Sequence, residues 1–303
     1  MQPVGRRRVR IVTFLTTLGM LAMAPACAGK ADPGPQPTDG GQPTVSVLAS
    51  TPSRPDHVVV VILENKDAQD AVASGSYLGS LAETGVSLTD MHAETHPSQP
   101  NYLALFSGDT QGVTDDACPQ EFRAPSLAGE LGAAGYSFVG YAEDLPSPGF
   151  TGCRAGGYAR KHSPWTDFGD VPADAGRPMS DMPTDFSRLP TVSFVVPNLC
   201  HDMHDCSVKD GDHWLAQNID PYARWARTHN SLLILTFDES EADGDRDNHI
   251  ATVAVGERVM PGPVTERTDH YRLLRTIEDL YGLRPLGHST EAAKIRSMWQ
   301  TGT

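Results

Sequence analysis

The sequence has few basic residues for its length, and it has no long apolar run beyond its N-terminal region. Lys and Arg together number 24, against 38 Asp and Glu, which gives a formal net charge of −14. A chain this acidic lacks the positive field that draws proteins to nucleic acids or to anionic membrane surfaces. No stretch after residue 30 is long and apolar enough to span a bilayer. The sequence therefore predicts neither a nucleic-acid-binding protein nor a transmembrane one.

Cysteine is also scarce, with five residues, and no two of them form a Cys-x-x-Cys pair. That absence argues against a zinc site of the usual thiolate kind. Four cysteines lie beyond the N-terminal region, and an even number in an exported chain favours two disulfides. Three pairings of these four are open. We favour Cys118–Cys153 with Cys200–Cys206, because the second bridge closes a short local loop.

The N-terminus differs in composition from the rest of the chain. Four arginines precede an apolar stretch over residues 11–24, and the small residues of APACAG follow. A basic start, a short apolar run and small residues at the end are typical of a secretion signal. We predict a signal peptide over residues 1–27, of the lipoprotein type, with Cys27 lipidated. Cleavage without lipidation, after Ala26 or Ala28, is the alternative, so the protein is either a cell-surface lipoprotein or secreted.

Two regions of different composition follow the signal. Residues 28–55 are rich in proline, glycine and polar residues, which predicts a flexible linker. From residue 56 onward, apolar runs such as HVVVVIL and LLILTF alternate with helical segments. Runs without polar alternation are expected of parallel strands that are buried on both faces. We therefore predict one α/β catalytic domain over residues 56–303, around a mostly parallel sheet.

One serine lies at the start of a short predicted helix, in the stretch ETHPSQPNYLALFSG. Pro100 suits the first position of a helix, where its missing N–H costs nothing, and Gly108 can end the helix. Ser98 then lies at or just before the helix N-terminus, where free N–H groups attract anions. This position suits a capping serine and also a nucleophile that attacks a phosphate.

Acidic and amide residues directly follow two of the predicted strands. Glu64 and Asn65 follow the first strand, and Asp238 and Glu239 follow a later one. Ligands in such folds gather at the carboxyl ends of the strands. Carboxylates that meet there repel one another unless a cation or a proton intervenes. We therefore predict that these four residues bind a hard divalent metal ion through oxygen atoms.

Histidines supply further candidates for the same edge of the sheet. His201 and His204 follow another strand, His249 opens a strand, and His270 begins a helix. Histidine suits both metal ligation and proton transfer, so we expect at least two of these four in the site. The alternatives are that His270 caps its helix and that His249 lines the sheet edge. His96 is an additional candidate.

Four segments together resemble the acid-phosphatase branch of the bacterial phosphoesterase family, which also holds the bacterial phospholipases C and belongs to the alkaline-phosphatase-like superfamily. The likeness covers about residues 56–290 and implies a three-layer α/β/α sandwich that hydrolyses phosphate esters. The segments are HVVVVILENKDAQD, HPSQPNYLALFSGDTQGVTDDACP, LTFDESEADGDRDNHIATVAVG and DHYRLLRTIEDLYGL.

The resemblance implies a role for each matching residue. Ser98 matches the nucleophile, and one metal ion of unknown identity is held by residues that match Glu64, Asn65, Asp238 and Glu239.

Three other positions complete the implied site. His204, or else His201, matches a histidine that contacts the phosphoryl oxygens, and His204 is placed to protonate the departing alcohol. Asn101 is expected to stabilise phosphoryl charge together with the helix N-terminus. The loops between residues 144 and 188 are expected to set the choice of substrate.

The predicted function is that of an exported, metal-dependent phosphatase that acts on phosphate monoesters of small molecules or lipids through a phosphoserine at Ser98. One alternative is a phosphodiesterase or a phospholipase C-like hydrolase. Another is a non-catalytic lipoprotein that binds phosphate or a metal. In each case the only link to the membrane would be the lipid at Cys27.

Overall fold

A computed structural model of the protein describes residues 54–73, 75–241 and 247–300. The predicted signal peptide, the lipid site at Cys27 and almost all of the predicted linker lie outside the described residues. Within the described ranges, no helix is long and apolar enough to cross a membrane.

A large mixed sheet lies at the centre of the domain, and it confirms the predicted α/β class. In the described residues the strands are β1 (His57–Leu63), β2 (Val86–His92), β3 (Phe138–Ala142), β4 (Arg154–Ala155), β5 (Tyr158–Ala159), β6 (Gly176–Pro178), β7 (Val192–Val196), β8 (Ser231–Phe237), β9 (His249–Gly256), β10 (Gly262–Val264) and β11 (Thr268–Asp269). The strand order in the large sheet is β10-β2-β9-β8-β1-β7-β3-β6, with β11 beside β2, whereas β4 and β5 form a separate hairpin. All pairings in the large sheet are parallel except those of β9, which runs antiparallel to both β2 and β8.

Helices cover both faces of this sheet, as the predicted three-layer sandwich requires. Every residue of β7 and β8 is buried, which is possible only if both faces of these strands are packed against other elements. Helix α3 packs against α4 and α7, and α5 packs against α2 and α6. The α-helices of the described residues are α1 (Ala68–Ala71), α2 (Tyr77–Thr84), α3 (Ser98–Ser107), α4 (Leu127–Ala133), α5 (Val208–Asn218), α6 (Asp220–Ala226) and α7 (His270–Tyr281).

Helix α3 has Ser98 at its N-terminus and Gly108 at its end, as predicted, although Pro100 is its third residue and not its first. It starts at Ser98, directly after Pro97, and all ten of its residues are buried. It ends at Gly108, whose φ of 74° lies in the left-handed region that glycine adopts at little cost. A Cβ at Gly108 would come within 2.1 Å of the carbonyl oxygen of Leu286, so the packing also requires glycine there. Burial on all sides holds the N-terminus of α3 in a fixed position.

Both favoured disulfides are confirmed. Cys118–Cys153 joins the segment after α3 to the segment before β4. Cys200–Cys206 closes the loop between β7 and α5. These loops follow carboxyl ends of strands or of α3, and they carry residues of the site described next.

Candidate active site

The carboxyl ends of β1 and β8 meet the N-terminus of α3 at one edge of the sheet. Strands β1 and β8 are parallel neighbours, with Leu63 beside Phe237. The residues that follow, Glu64 and Asp238, therefore come to lie side by side. The structure thus brings together five residues predicted from the sequence, namely Glu64, Asn65, Ser98, Asp238 and Glu239.

The hydroxyl of Ser98 is the point on which these side chains converge. Its Oγ lies 2.9 Å from Glu64 Oε2, 3.2 Å from Glu239 Oε1 and 3.4 Å from Asn65 Oδ1. Ser98 itself is 1% exposed. A hydroxyl has only one hydrogen to donate, so the oxygens of Glu64 and Glu239 already compete for it. The site is rich in oxygen donors and poor in positive charge.

Glu64, Asp238 and Glu239 are here called the acidic cluster. The pKa values of these residues reflect the excess of oxygen donors over positive charge. Burial raises the pKa of all three carboxyl groups, and Asp238 further raises the pKa values of Glu64 and Glu239. The Asn65 side chain satisfies these carboxyl groups when its amide nitrogen faces the cluster. The nitrogen then donates to Asp238 Oδ1 at 3.3 Å and to Glu239 Oε1 at 3.0 Å. A divalent cation would favour the amide oxygen instead. Buried, mutually repelling oxygens around one point fit such an ion.

His162 was not singled out in the sequence, and it lies against the acidic cluster. Its Nε2 is 3.2 Å from Glu64 Oε1, and its Nδ1 is 3.2 Å from Asp202 Oδ2. Neither contact has hydrogen-bond geometry. His162 Nε2 and Asp202 Oδ2 are therefore both buried without a hydrogen-bond partner. The ring stacks on Tyr102 at 5.2 Å, and Tyr102 donates a hydrogen bond to Glu64. Burial lowers the pKa of His162 well below its usual range.

A second group of side chains also suits a cation, and it consists of Glu64, His162 and Asp202. All three residues are buried, and each offers one ligand atom within 4.8 Å of the others. Burial also raises the pKa of Asp202. Glu64 therefore belongs to two donor sets, one centred on Ser98 and one on His162.

Lys161 brings a buried positive charge to this region, and like His162 it was not predicted from the sequence. Its Nζ donates to Asp116 Oδ2 at 2.7 Å, and Asp116 Oδ1 accepts from the backbone N–H of Gln99 at 3.0 Å. Burial would lower the pKa of Lys161, but attraction to Glu64 and Asp116 raises it above its usual value. Lys161 is thereby connected to the residue that follows Ser98.

The predicted histidines fall into two groups. His204 borders the site: its ring lies 5.9 Å from that of His162, and its Nδ1 pairs with Asp205 at 2.7 Å. His96 contacts the acidic cluster through a hydrogen bond between its Nδ1 and Glu239.

The remaining three predicted histidines make other contacts. His201 pairs with Glu143 at 2.8 Å and not with the acidic cluster. His249 contacts the carbonyl oxygen of Thr89 at the sheet edge, which matches the simpler of its two interpretations. His270 begins α7, where its Nδ1 lies 2.6 Å from Glu94 Oε2 and its Nε2 lies 2.9 Å from the carbonyl oxygen of Phe237.

Asn101 does not have the contacts expected of a phosphoryl ligand. Its two amide hydrogens are donated to the carbonyl oxygens of Thr95, at 2.8 Å, and Pro97, at 3.2 Å. Its Oδ1 accepts from the backbone N–H groups of Glu94 and Thr95. In this structure both amide hydrogens are thus used by backbone carbonyl oxygens, and Asn101 fixes the loop that leads into Ser98.

Several solved structures have a similar fold. One is a protein of the alkaline phosphatase superfamily from Vibrio parahaemolyticus, with a TM-score of 0.54 and 14% identity over 82% of this chain and 72% of that one. Another is the lipoteichoic acid synthase LtaP from Listeria monocytogenes, with a TM-score of 0.56 and 11% identity over 77% of this chain and 73% of that one. At these identities the likeness establishes the fold.

Sequence relatives define the family. The model of the Phosphoesterase family matches residues 73–284. The phosphatidylinositol-3-phosphatase of Mycobacterium tuberculosis is 43% identical over 98% of both chains. The phosphate-repressible acid phosphatase of Penicillium chrysogenum is 31% identical over 80% of this chain, which spans 63% of that protein. This chain belongs to the Phosphoesterase family, and it is a phosphoric ester hydrolase.

Proposed function

We propose that this protein is an exported, metal-dependent phosphatase that hydrolyses phosphate monoesters through a phosphoserine intermediate at Ser98. The observation that carries the proposal is the convergence of Glu64, Asn65 and Glu239 on Ser98 Oγ, within 3.4 Å. This hydroxyl lies at the N-terminus of a buried helix, where backbone N–H groups favour a phosphoryl anion.

The residues around Ser98 have separate tasks in this mechanism. Glu64, Asn65, Asp238 and Glu239 would hold one divalent ion, whose charge activates the nucleophile and stabilises the phosphoryl oxygens. Glu64 Oε2 is the nearest acceptor for the Ser98 proton as Oγ bonds to phosphorus. The bond from phosphorus to the alcohol oxygen breaks as the new bond forms, and water then hydrolyses the phosphoserine.

The two histidines at the site divide the remaining work. His162 is buried, and its unpartnered Nε2 suits a contact with a phosphoryl oxygen. His204 is more exposed, with 28% of its side chain accessible, and it lies beside His162. We assign to His204 the proton that the departing alcohol needs.

The substrate class and the export of the protein follow from different observations. The relative from Mycobacterium tuberculosis, similar along its whole length, is named for its action on a phosphorylated phosphatidylinositol. Phosphatidylinositol 3-phosphate is therefore the first lipid monoester to test beside soluble ones. The predicted signal peptide and the two disulfides, which persist in oxidising compartments, support export.

The test compares the full mature chain with its Ser98→Ala variant, and uses Ser80→Ala, at an exposed helical serine, as the matched control. Release of phosphate is measured from an aryl monoester, an aryl diester and phosphatidylinositol 3-phosphate, with and without chelator. Metal content is measured separately, and peptides from acid-quenched enzyme are searched for phosphate on Ser98. We expect S98A to lose at least about 10⁴-fold in monoester turnover, whereas S80A keeps it.

The other outcomes have definite meanings. Monoester turnover that survives in S98A would refute the nucleophile. Turnover of the diester alone would make the protein phospholipase C-like. Full activity with no bound metal would refute the metal dependence.

A further inference from the structure

The Lys161–Asp116 pair has no place in the mechanism derived so far. Lys161 and Arg160 are consecutive residues of one short 3₁₀ turn, and both are buried. Arg160 has many partners: it donates to backbone oxygens of Gln120, Thr151 and Thr166, and it forms an ion pair with Asp167. It is a structural clamp for the loops around it.

Lys161 is engaged only in part. Among the described residues, Asp116 is the one acceptor of a hydrogen bond from its ammonium group. An ammonium has three hydrogens to donate, so two remain without a partner in the described part of the chain. Its side chain is 10% exposed, which makes spare hydrogens costly unless a ligand takes them.

The location of the pair connects it to the reaction. Asp116 accepts at once from Lys161 and from the backbone N–H of Gln99, the residue after Ser98. Lys161 also directly precedes His162, whose Nε2 is 3.2 Å from Glu64. The ammonium is thus connected through Asp116 to the residue after Ser98, and the Lys161 backbone leads directly into His162. The Cys118–Cys153 bridge strengthens the tie, since Cys118 is two residues from Asp116 and the carbonyl oxygen of Cys153 accepts from the N–H of Arg160.

We propose that Lys161 is a specificity-determining residue that binds the phosphoryl group of the substrate and favours dianionic monoesters over monoanionic diesters, with Asp116 as its positioning residue. The proposal rests on the proposed phosphatase site at Ser98. A monoester carries one more negative charge than a diester, and that charge gains most from a buried cation. In a site built of carboxylates, such a cation offsets repulsion between the acids and a dianion.

The test replaces Lys161 with Met, which keeps the length of the side chain without its charge. Lys161→Gln keeps a donor for Asp116 without the charge, and Lys161→Arg keeps the charge. Lys294→Met is the matched control, because Lys294 forms a similar ion pair with Asp279 at 2.9 Å. Each variant is assayed with an aryl monoester and an aryl diester, for inhibition by inorganic phosphate, for metal content and for its unfolding midpoint.

We expect K161M and K161Q to lose about 10- to 100-fold in kcat/KM for the monoester, with a similar rise in the inhibition constant of phosphate. The diester value should change less than about 3-fold, whereas K161R should retain most of the preference. Equal losses on both esters, or unchanged monoester kinetics in a folded K161M or K161Q, would overturn the proposal. Neither result touches the role of Ser98, which the S98A variant tests independently.

Discussion

Two buried histidines, His162 and His270, lie near the same edge of the sheet, and each is only 1% exposed. Both ring nitrogens of His270 have good partners, in Glu94 and in the carbonyl oxygen of Phe237. His162 also has a carboxylate near each nitrogen, at 3.2 Å, yet its Nε2 has no hydrogen bond. Two equally buried histidines thus differ in whether the ring Nε2 is hydrogen-bonded.

The difference indicates a structural role for His270 and supports the functional role proposed for His162. A buried polar group without a partner costs stability, and native proteins retain few of them. His270 ties the start of α7 to the end of β8 and to the loop before Ser98, so its bonds serve the fold. His162 bears that cost beside Glu64 and Ser98, where a ligand would remove it. Stability should therefore depend on the His270 pair, and activity on His162.

The most direct test of this difference between the two histidines is His162→Phe, which keeps the stacking on Tyr102 and removes both ring nitrogens. We expect kcat/KM for an aryl monoester to fall by about 100- to 1000-fold, because a preorganised donor to the phosphoryl group is lost. The free energy of unfolding should stay within about 1 kcal/mol of wild type, since no hydrogen bond is lost at Nε2. His213→Phe, at an exposed histidine of α5, is the control. A large loss of stability with little loss of activity would reverse the assignment.

The complementary change is Glu94→Gln, which removes the charge that His270 Nδ1 faces. We expect the free energy of unfolding in urea to fall by about 2 kcal/mol, because a buried hydrogen bond to a charged group is weakened. Asp90→Asn provides the control, since Asp90 pairs with His92 at 2.7 Å but is 42% exposed. That variant should lose no more than about 0.5 kcal/mol. Equal effects of the two changes would contradict the structural role of the His270 pair.

The smallest effect concerns Glu278, a buried carboxyl group of α7 remote in sequence from the acidic cluster. Its two oxygens accept from the N–H of Leu286 and from Ser289 Oγ, and burial raises its pKa to about 7. A carboxyl group with a raised pKa in the folded state stabilises most at low pH. That contribution disappears as the pH rises from the unfolded value of about 4.3 through 7.

We therefore expect the Tm of wild type to fall relative to that of Glu278→Gln between pH 5 and pH 8, by about 3 °C. Thermal unfolding of both proteins across this range measures the difference. Parallel pH profiles would show that full hydrogen bonding cancels the cost of burying this charge.

The parts of the site that follow strands directly could be predicted from the sequence. Glu64 and Asp238 come immediately after buried parallel strands, and the geometry of a parallel sheet alone brings such residues to one edge. Ser98 was predictable because the helix around it is marked by Pro100 and by Gly108.

The residues contributed by loops could not be predicted in this way. Lys161 and His162 lie in a segment without periodic pattern, whose path depends on the Cys118–Cys153 bridge and on the bonds of Arg160 to distant carbonyl groups. Asp202 lies between His201 and His204, and its sequence context alone does not mark it as a site residue. The sequence puts Asn101 close to Ser98, but it does not tell in which direction the side chain points. In the structure the side chain is buried, and its amide donates to carbonyl oxygens of the loop over residues 94–97.

The pairing of β1 with β8 also determines when the site can form. The backbone N–H of Asn65 donates to Asp238, which is 173 residues away in the sequence. The Ser98 hydroxyl lies within hydrogen-bond distance of Glu239, which is 141 residues away. Such long loops cost entropy to close and slow the folding of the chain. During synthesis Ser98 emerges long before Asp238 and Glu239, so an incomplete chain contains the serine without the carboxyl groups that surround it. We therefore expect activity to arise late, after the chain has passed residue 239.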